Sequence, residues 1–102
     1  IGLVPQMVVR ALRKAAATIL AEHPRLRIVV FGSRARGDAT RASDIDVGID
    51  AGAPIDSRSM FALRESVDQL PTMLTIDIVD LSTVEPAFRS RALQEGVPVV
   101  DR

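Results

Sequence analysis

The stretch Phe31-Gly32-Ser33-Arg34-Ala35-Arg36-Gly37-Asp38-Ala39-Thr40-Arg41-Ala42-Ser43-Asp44-Ile45-Asp46-Val47-Gly48-Ile49-Asp50 decides how this chain is read. The apolar, β-branched run Ile28-Val29-Val30-Phe31 leads into it and has the length of a strand. Gly32-Ser33 stops that run, and an Arg-rich connection leads to a second strand over 44–50. Strand alternation puts Asp44, Asp46, Gly48 and Asp50 on one face and Ile45, Val47 and Ile49 on the other. The apolar face calls for a core and the acidic face for positive charge. Two carboxylates of this kind suit Mg²⁺ or Mn²⁺ better than a soft metal, although any half-buried strand with a wet acidic side shows the same alternation.

The preceding turn adds a second signal. A Gly-Ser turn after a buried strand leaves backbone N–H groups available, and a helix starting there favours an anion at its N-terminus. A phosphate cradle beside a metal-binding acidic pair would suit a nucleoside triphosphate. Gly32 and Gly37 have the outer spacing of a Walker A loop, but Asp38-Ala39 stands where Lys-Ser/Thr is required, and no Gly-x-Gly-x-x-Gly occurs.

Phe31-Gly32-Ser33, ten residues, then Asp44-Ile45-Asp46-Val47 resembles the signature of the DNA polymerase beta-like nucleotidyltransferase superfamily. The fuller string Gly-Ser-Arg-Ala-Arg-Gly…Ser-Asp-Ile-Asp is similar to the minimal nucleotidyltransferases, the small single-domain branch often encoded beside a helical HEPN-domain protein. The resemblance implies an α/β (α+β) nucleotidyltransferase fold like the polymerase beta palm. Its small mixed sheet would carry helices on one face and the carboxylates on the other or at its rim. It also implies transfer of AMP from ATP to a hydroxyl, with Asp44, Asp46 and Asp77 as the catalytic and metal-holding carboxylates. Two Mg²⁺ ions, or Mn²⁺, would be the cofactors and ATP the substrate. Gly32 and Ser33 would meet the phosphates. Arg34 and Arg36 flank that turn, as triphosphate or acceptor contacts or as a solvated pair.

Length and composition set the remaining bounds. At 102 residues the chain reads as a single domain over 1–102, with an ordinary hydrophobic share of 47% and room for one modest core. A formal net charge of zero argues against strong nucleic-acid binding through bulk electrostatics. Lys14 is the only lysine, and the Arg bias fits phosphate or an acidic partner as well as it fits genomic composition. The absence of Cys excludes disulfides and fits a reducing, cytoplasmic setting; no apolar run is long enough for a membrane span.

Around the central stretch, apolar spacing predicts a helix from Pro5 to about Glu22, with Arg10, Arg13 and Lys14 solvated. His23, the only histidine, reads as a loop residue before Pro24. Asp56 or Ser57 caps a helix running to about Leu70, with Met60 and Phe61 assigned to the core. Residues 75–81 form a third strand. Asp77 lies inside it, where an unpaired buried carboxylate would be costly unless it joins the acidic pair. Asp80 reads as a turn or capping residue. Ser82-Thr83-Val84-Glu85 matches a capping box for a last helix that Gly96 closes, and Val97-Pro98-Val99-Val100 could add an edge strand. Ser43 would cap or position the start of the second strand.

A chain this short has little room for substrate-recognition regions, which points to a protein acceptor. The resemblance implies an antitoxin that modifies and neutralises a HEPN-domain RNase toxin. All three acidic positions are filled, favouring an active enzyme over the alternative, a non-catalytic module of the same fold that acts by occlusion. An unrelated α/β domain with a surface acidic pair would show no divalent-dependent nucleotide binding.

Overall fold

The computed structural model describes residues 4–37 and 44–101, so Ser43 and the proposed capping role lie outside the described residues. The element order is α1 (Gln6–Ile19), β1 (Arg27–Phe31), α2 (Ser33–Arg36), β2 (Ile45–Asp50), α3 (Ser57–Asp68), β3 (Ile76–Asp80), α4 (Pro86–Glu95) and β4 (Val97–Val100). The strands form one mixed sheet in the order β3-β2-β1-β4. β1 is antiparallel to both β2 and β4, whereas β2 and β3 are parallel. Parallel neighbours need a long crossover, and α3 supplies it.

The alternation in β2 separates two environments. Ile45, Val47 and Ile49 are fully buried and join Ile28 and Val30 of β1 in the main core. Val8, Leu12, Ala16 and Ile19 of α1 and Met60, Leu63 and Val67 of α3 complete it, each set recurring at helical spacing. Arg10, Arg13 and Lys14 are exposed as expected, and Arg13 Nε donates to the Val99 carbonyl at 3.1 Å, tying α1 to β4. α1 stops at Ile19, three residues before the expected end, and a turn carries the chain to His23.

α3 begins at the expected cap: Asp56 Oδ2 accepts from the Ser59 N–H at 3.0 Å. His23 is a loop residue whose Nε2 lies 3.1 Å from Asp56 Oδ1. Hydrogen bonding to His23, with Ser59 assisting, lowers the Asp56 carboxyl to about 2. Phe61 is a correction to the sequence reading, because it is 66% exposed. The buried stripe runs through Met60, Leu63 and Val67, and Phe61, one residue beyond Met60, turns away from it.

α4 also departs from expectation. It lies on the carboxylate side of the sheet, where Ala92 packs with Val29 and Leu81 in a second, smaller core cluster. The expected capping box is absent. The helix starts later, with Glu85 at the cap position, no side-chain cap bond and Pro86 in the first turn, a place proline favours. Ser82 instead donates its hydroxyl to Asp80 Oδ1 at 2.7 Å, and Thr83 Oγ1 donates to the Asp80 carbonyl. Asp80 is therefore the turn residue expected, and its Oδ2 also accepts from the Ile55 N–H. Gly96 closes α4 in an extended conformation, with the Ala92 carbonyl and the Val29 side chain occupying the space a Cβ would need.

Candidate active site

Strand register assembles the site. Phe31 of β1 pairs with Asp46 of β2, and Asp46 pairs with Asp77 of β3, giving one row across three strands on the face opposite the main core. Neighbouring strands lie about 4.8 Å apart, so the two carboxylates stand side by side. Asp44 is exposed just before β2, Asp46 is half-buried and Asp77 is exposed. The next row holds Val29, Gly48 and Val79. Leu81 fills the place of a Gly48 side chain, and this middle of the face is closed.

The far end of the face carries Asp50, which is 2% exposed. Arg27 Nη2 and Arg89 Nη2 donate to its Oδ2 at 2.6 and 3.0 Å, and Arg89 Nε donates to Oδ1 at 3.2 Å. Burial alone would raise this carboxyl, but the bonds from Arg89 and Arg27 outweigh it and hold Asp50 below the usual range. The acidic face is thus divided: Asp50 is neutralised by arginine, one of them from α4, while the Asp46–Asp77 end stays open.

Asp46 shows the opposite behaviour. Burial raises its carboxyl, the charges of Asp77 and Asp44 raise it further, and Arg36 opposes them. Such a group gains from a cation, and an all-carboxylate donor set fits a hard divalent ion. Glu22, His23 and Asp56 also bring ligand atoms within 4.8 Å of one another, but that group shares no residue with the row of carboxylates.

Asp46 sits where two cavities meet. One, of about 660 Å³, runs past Asp77, Ile76 and Ile78 to Arg64 and Asp68 of α3. The other, of about 420 Å³, is lined by Gly32, Ser33 and Arg36 together with Arg91 and Glu95 of α4. Phe31 and Phe88 form part of both walls and meet edge-on, with ring centroids 5.7 Å apart. Of the two arginines singled out in the sequence, Arg36 is exposed and lines the second cavity. Arg34 is 5% exposed and, among the described residues, lines neither. Arg91 was not found by sequence reasoning; the only signal was its placement four residues before Glu95 on a helix not expected on this face.

Gly32 is the hinge between β1 and α2. Its φ of 73° and ψ of −150° belong to glycine, and a Cβ there would collide with Asp46 Oδ2. The turn therefore brings backbone against the carboxylate that both cavities share. Gly32→Ala is expected to lower stability by about 1–2 kcal/mol through backbone strain and to push Asp46 from its place. Thermal unfolding and Mg²⁺-dependent ATP binding check it: binding falls while the far-ultraviolet spectrum of the fold persists.

The chain matches the Polymerase beta, Nucleotidyltransferase family over residues 14–102. MJ0435 of Methanocaldococcus jannaschii, named provisionally as a protein adenylyltransferase, is 27% identical over 96 residues, covering 92% of this chain and all of that protein. MntA of Haemophilus influenzae, named provisionally in the same way, is 30% identical over 66 residues, covering 65% of this chain and 58% of its own length. Among solved structures, a toxin–antitoxin with AMP-PNP has a similar fold, with a TM-score of 0.61 at 23% identity over 87% of this chain and 73% of that one. The family match takes in the Gly32–Ser33 turn and all three carboxylates, and the chain belongs to the polymerase beta nucleotidyltransferase family.

Proposed function

We propose that the chain transfers AMP from ATP to a hydroxyl group of a protein acceptor, and that it does so as the antitoxin of a HEPN-domain RNase toxin. The observation that carries this reading is the position of Asp46 between two cavities, beside Asp77 on one side and the Gly32–Ser33 turn on the other. The names of the relatives support a protein acceptor, and the toxin–antitoxin neighbours support the pairing.

The cavity at Gly32, Ser33, Arg36 and Arg91 takes the triphosphate, with N–H groups and guanidinium forks facing its oxygens. The cavity along Asp77 takes the acceptor. The acceptor oxygen forms a bond to the α-phosphorus, the bond from that phosphorus to pyrophosphate breaks, and the hydroxyl proton passes to Asp77. When bound by Asp44, Asp46 and Asp77, Mg²⁺ or Mn²⁺ neutralises charge on the phosphates and on the attacking oxygen. A cytoplasmic location follows from the need for ATP. Among the described residues no helix is long and apolar enough to cross a membrane.

The test is calorimetry of Mg²⁺–ATP binding, followed by transfer of α-labelled phosphate to the HEPN-domain protein. Label on the acceptor supports the reading. Toxin suppression that survives Asp44→Ala plus Asp46→Ala, with no label, replaces it by occlusion. Arg91→Ala is expected to weaken ATP binding about five- to tenfold, the loss of one partly solvated charge-assisted contact. Unchanged affinity would place the triphosphate elsewhere.

A further inference from the structure

We infer that the open edge of β3 is the docking site for the acceptor, which adds to the sheet there as an extended segment. This rests on the transferase reading for the occupant's chemistry, and on the backbone for its shape. Thr75 gives its carbonyl to the Ile45 N–H, and the Leu81 N–H donates to the Ile49 carbonyl. The backbone groups of Thr75, Asp77, Val79 and Leu81 therefore point inward to β2, and those of Ile76 and Ile78 point outward. Among the described residues no backbone bond reaches Ile76 or Ile78 from outside.

Proteins normally blunt such edges. The opposite edge of this sheet is blunted: β4 carries the exposed Pro98 and a register shift against β1. β3 reads Ile-Asp-Ile-Val-Asp, with no proline; of its two charges, Asp77 stands in the row with Asp46, and the Asp80 carboxylate is taken up by the Ile55 and Ser82 N–H groups. Its edge forms a wall of the 660 Å³ cavity and is continuous there with Asp46 and Asp77. Met73 is fully exposed just before β3, Phe88 lines the cavity, and Phe61 lies on the α3 stripe of Arg64 and Asp68, which also line it.

A strand added beside β3 would hydrogen-bond to Ile76 and Ile78 through its backbone. Alternate side chains would then face Asp77 on one side and α3 on the other. The residue bearing the acceptor hydroxyl is one that faces Asp77. This assigns recognition chiefly to backbone pairing and leaves the hydroxyl within the row of carboxylates.

The probe is a purified HEPN-domain RNase toxin, the acceptor named in the proposed function. Amide exchange is followed at Ile76 and Ile78 in its presence, and label transfer is measured in parallel. The expected result is exchange at both amides slowed about tenfold or more on complex formation. Ile76→Pro removes only an outward N–H; it is expected to bind Mg²⁺–ATP normally and to label the acceptor about tenfold less, whereas Ile76→Ala stays within about threefold of wild type. If Ile76→Pro does not fold, amide exchange on the wild type decides. Labelling with unprotected amides overturns edge docking and leaves the transferase reading standing. Protection without labelling keeps the docking and removes the chemistry. Neither effect overturns both. Protection that grows with concentration of this chain alone, with a dimer in sedimentation, gives the edge to a second copy and overturns the proposal.

Discussion

Asp46→Asn is expected to cut AMP transfer by about 10²–10⁴-fold while raising the thermal stability of the free chain. Asparagine keeps the size of the side chain and removes its charge. Burial and the negative charges of Asp77 and Asp44 all disfavour ionised Asp46, so the native fold holds this carboxylate at a cost. Its raised folded-state pKa means that the cost is present at neutral pH and disappears as pH falls to the unfolded value near 3.8. Replacing it should raise stability by up to about 1 kcal/mol, a few degrees in Tm. On the proposed mechanism the same change removes a donor for the divalent ions that would stabilise developing charge, a loss of several kcal/mol or about 10²–10⁴-fold in rate. Mg²⁺–ATP should raise the Tm of the wild type and leave the variant unmoved. A variant that binds Mg²⁺–ATP like the wild type would remove Asp46 from the site.

The sequence reading reached the elements whose signals are local and missed those that depend on tertiary contact. β-branched runs and alternation placed β1, β2 and β3 within a residue or so of their ends. The resemblance favoured Asp77 over Asp80, and the register sets Asp77 beside Asp46, whereas Asp80 accepts from Ser82 in the turn that follows. The side of the sheet that α4 covers was not legible. Only Ala92 of that helix is fully buried, so no apolar stripe announces its inner face. Its position is instead fixed by Arg89 on Asp50 and Phe88 on Phe31, contacts more than thirty residues apart in the chain. For the same reason the two cavities could not be anticipated: Arg91, Glu95 and Phe88 reach them only because α4 crosses this face. Nor could alternation separate Asp50 from Asp46. Both occupy one face of one strand, and only the third dimension shows which of them has arginine partners.

That distinction makes Asp50 the strongest test of how α4 is held. Its carboxylate is almost fully enclosed, while the Arg27 and Arg89 side chains remain 38% and 40% exposed. Asp50→Ala strands neither arginine completely, since both regain water, but it removes two charge-assisted links and the anchor of α4. The expected loss is about 2–3 kcal/mol. The pH dependence identifies the cause. Asp50 titrates lower in the folded chain than in the unfolded one, so its stabilisation is full above the unfolded value near 3.8 and is lost as pH falls through the folded value. The wild type and Asp50→Ala should therefore differ by a constant amount near neutral pH and converge in acid, as read by thermal unfolding across that range. Asp50→Asn, which keeps the shape without the charge, should fall between them at neutral pH. Arg89→Ala should reproduce much of the loss and also loosen Phe88 against Phe31, because the helix carrying both is no longer fixed to the sheet. A difference that stays constant down to strong acid would mean that packing, and not the ion pairs, holds α4 over the sheet and leaves the cleft open beside it.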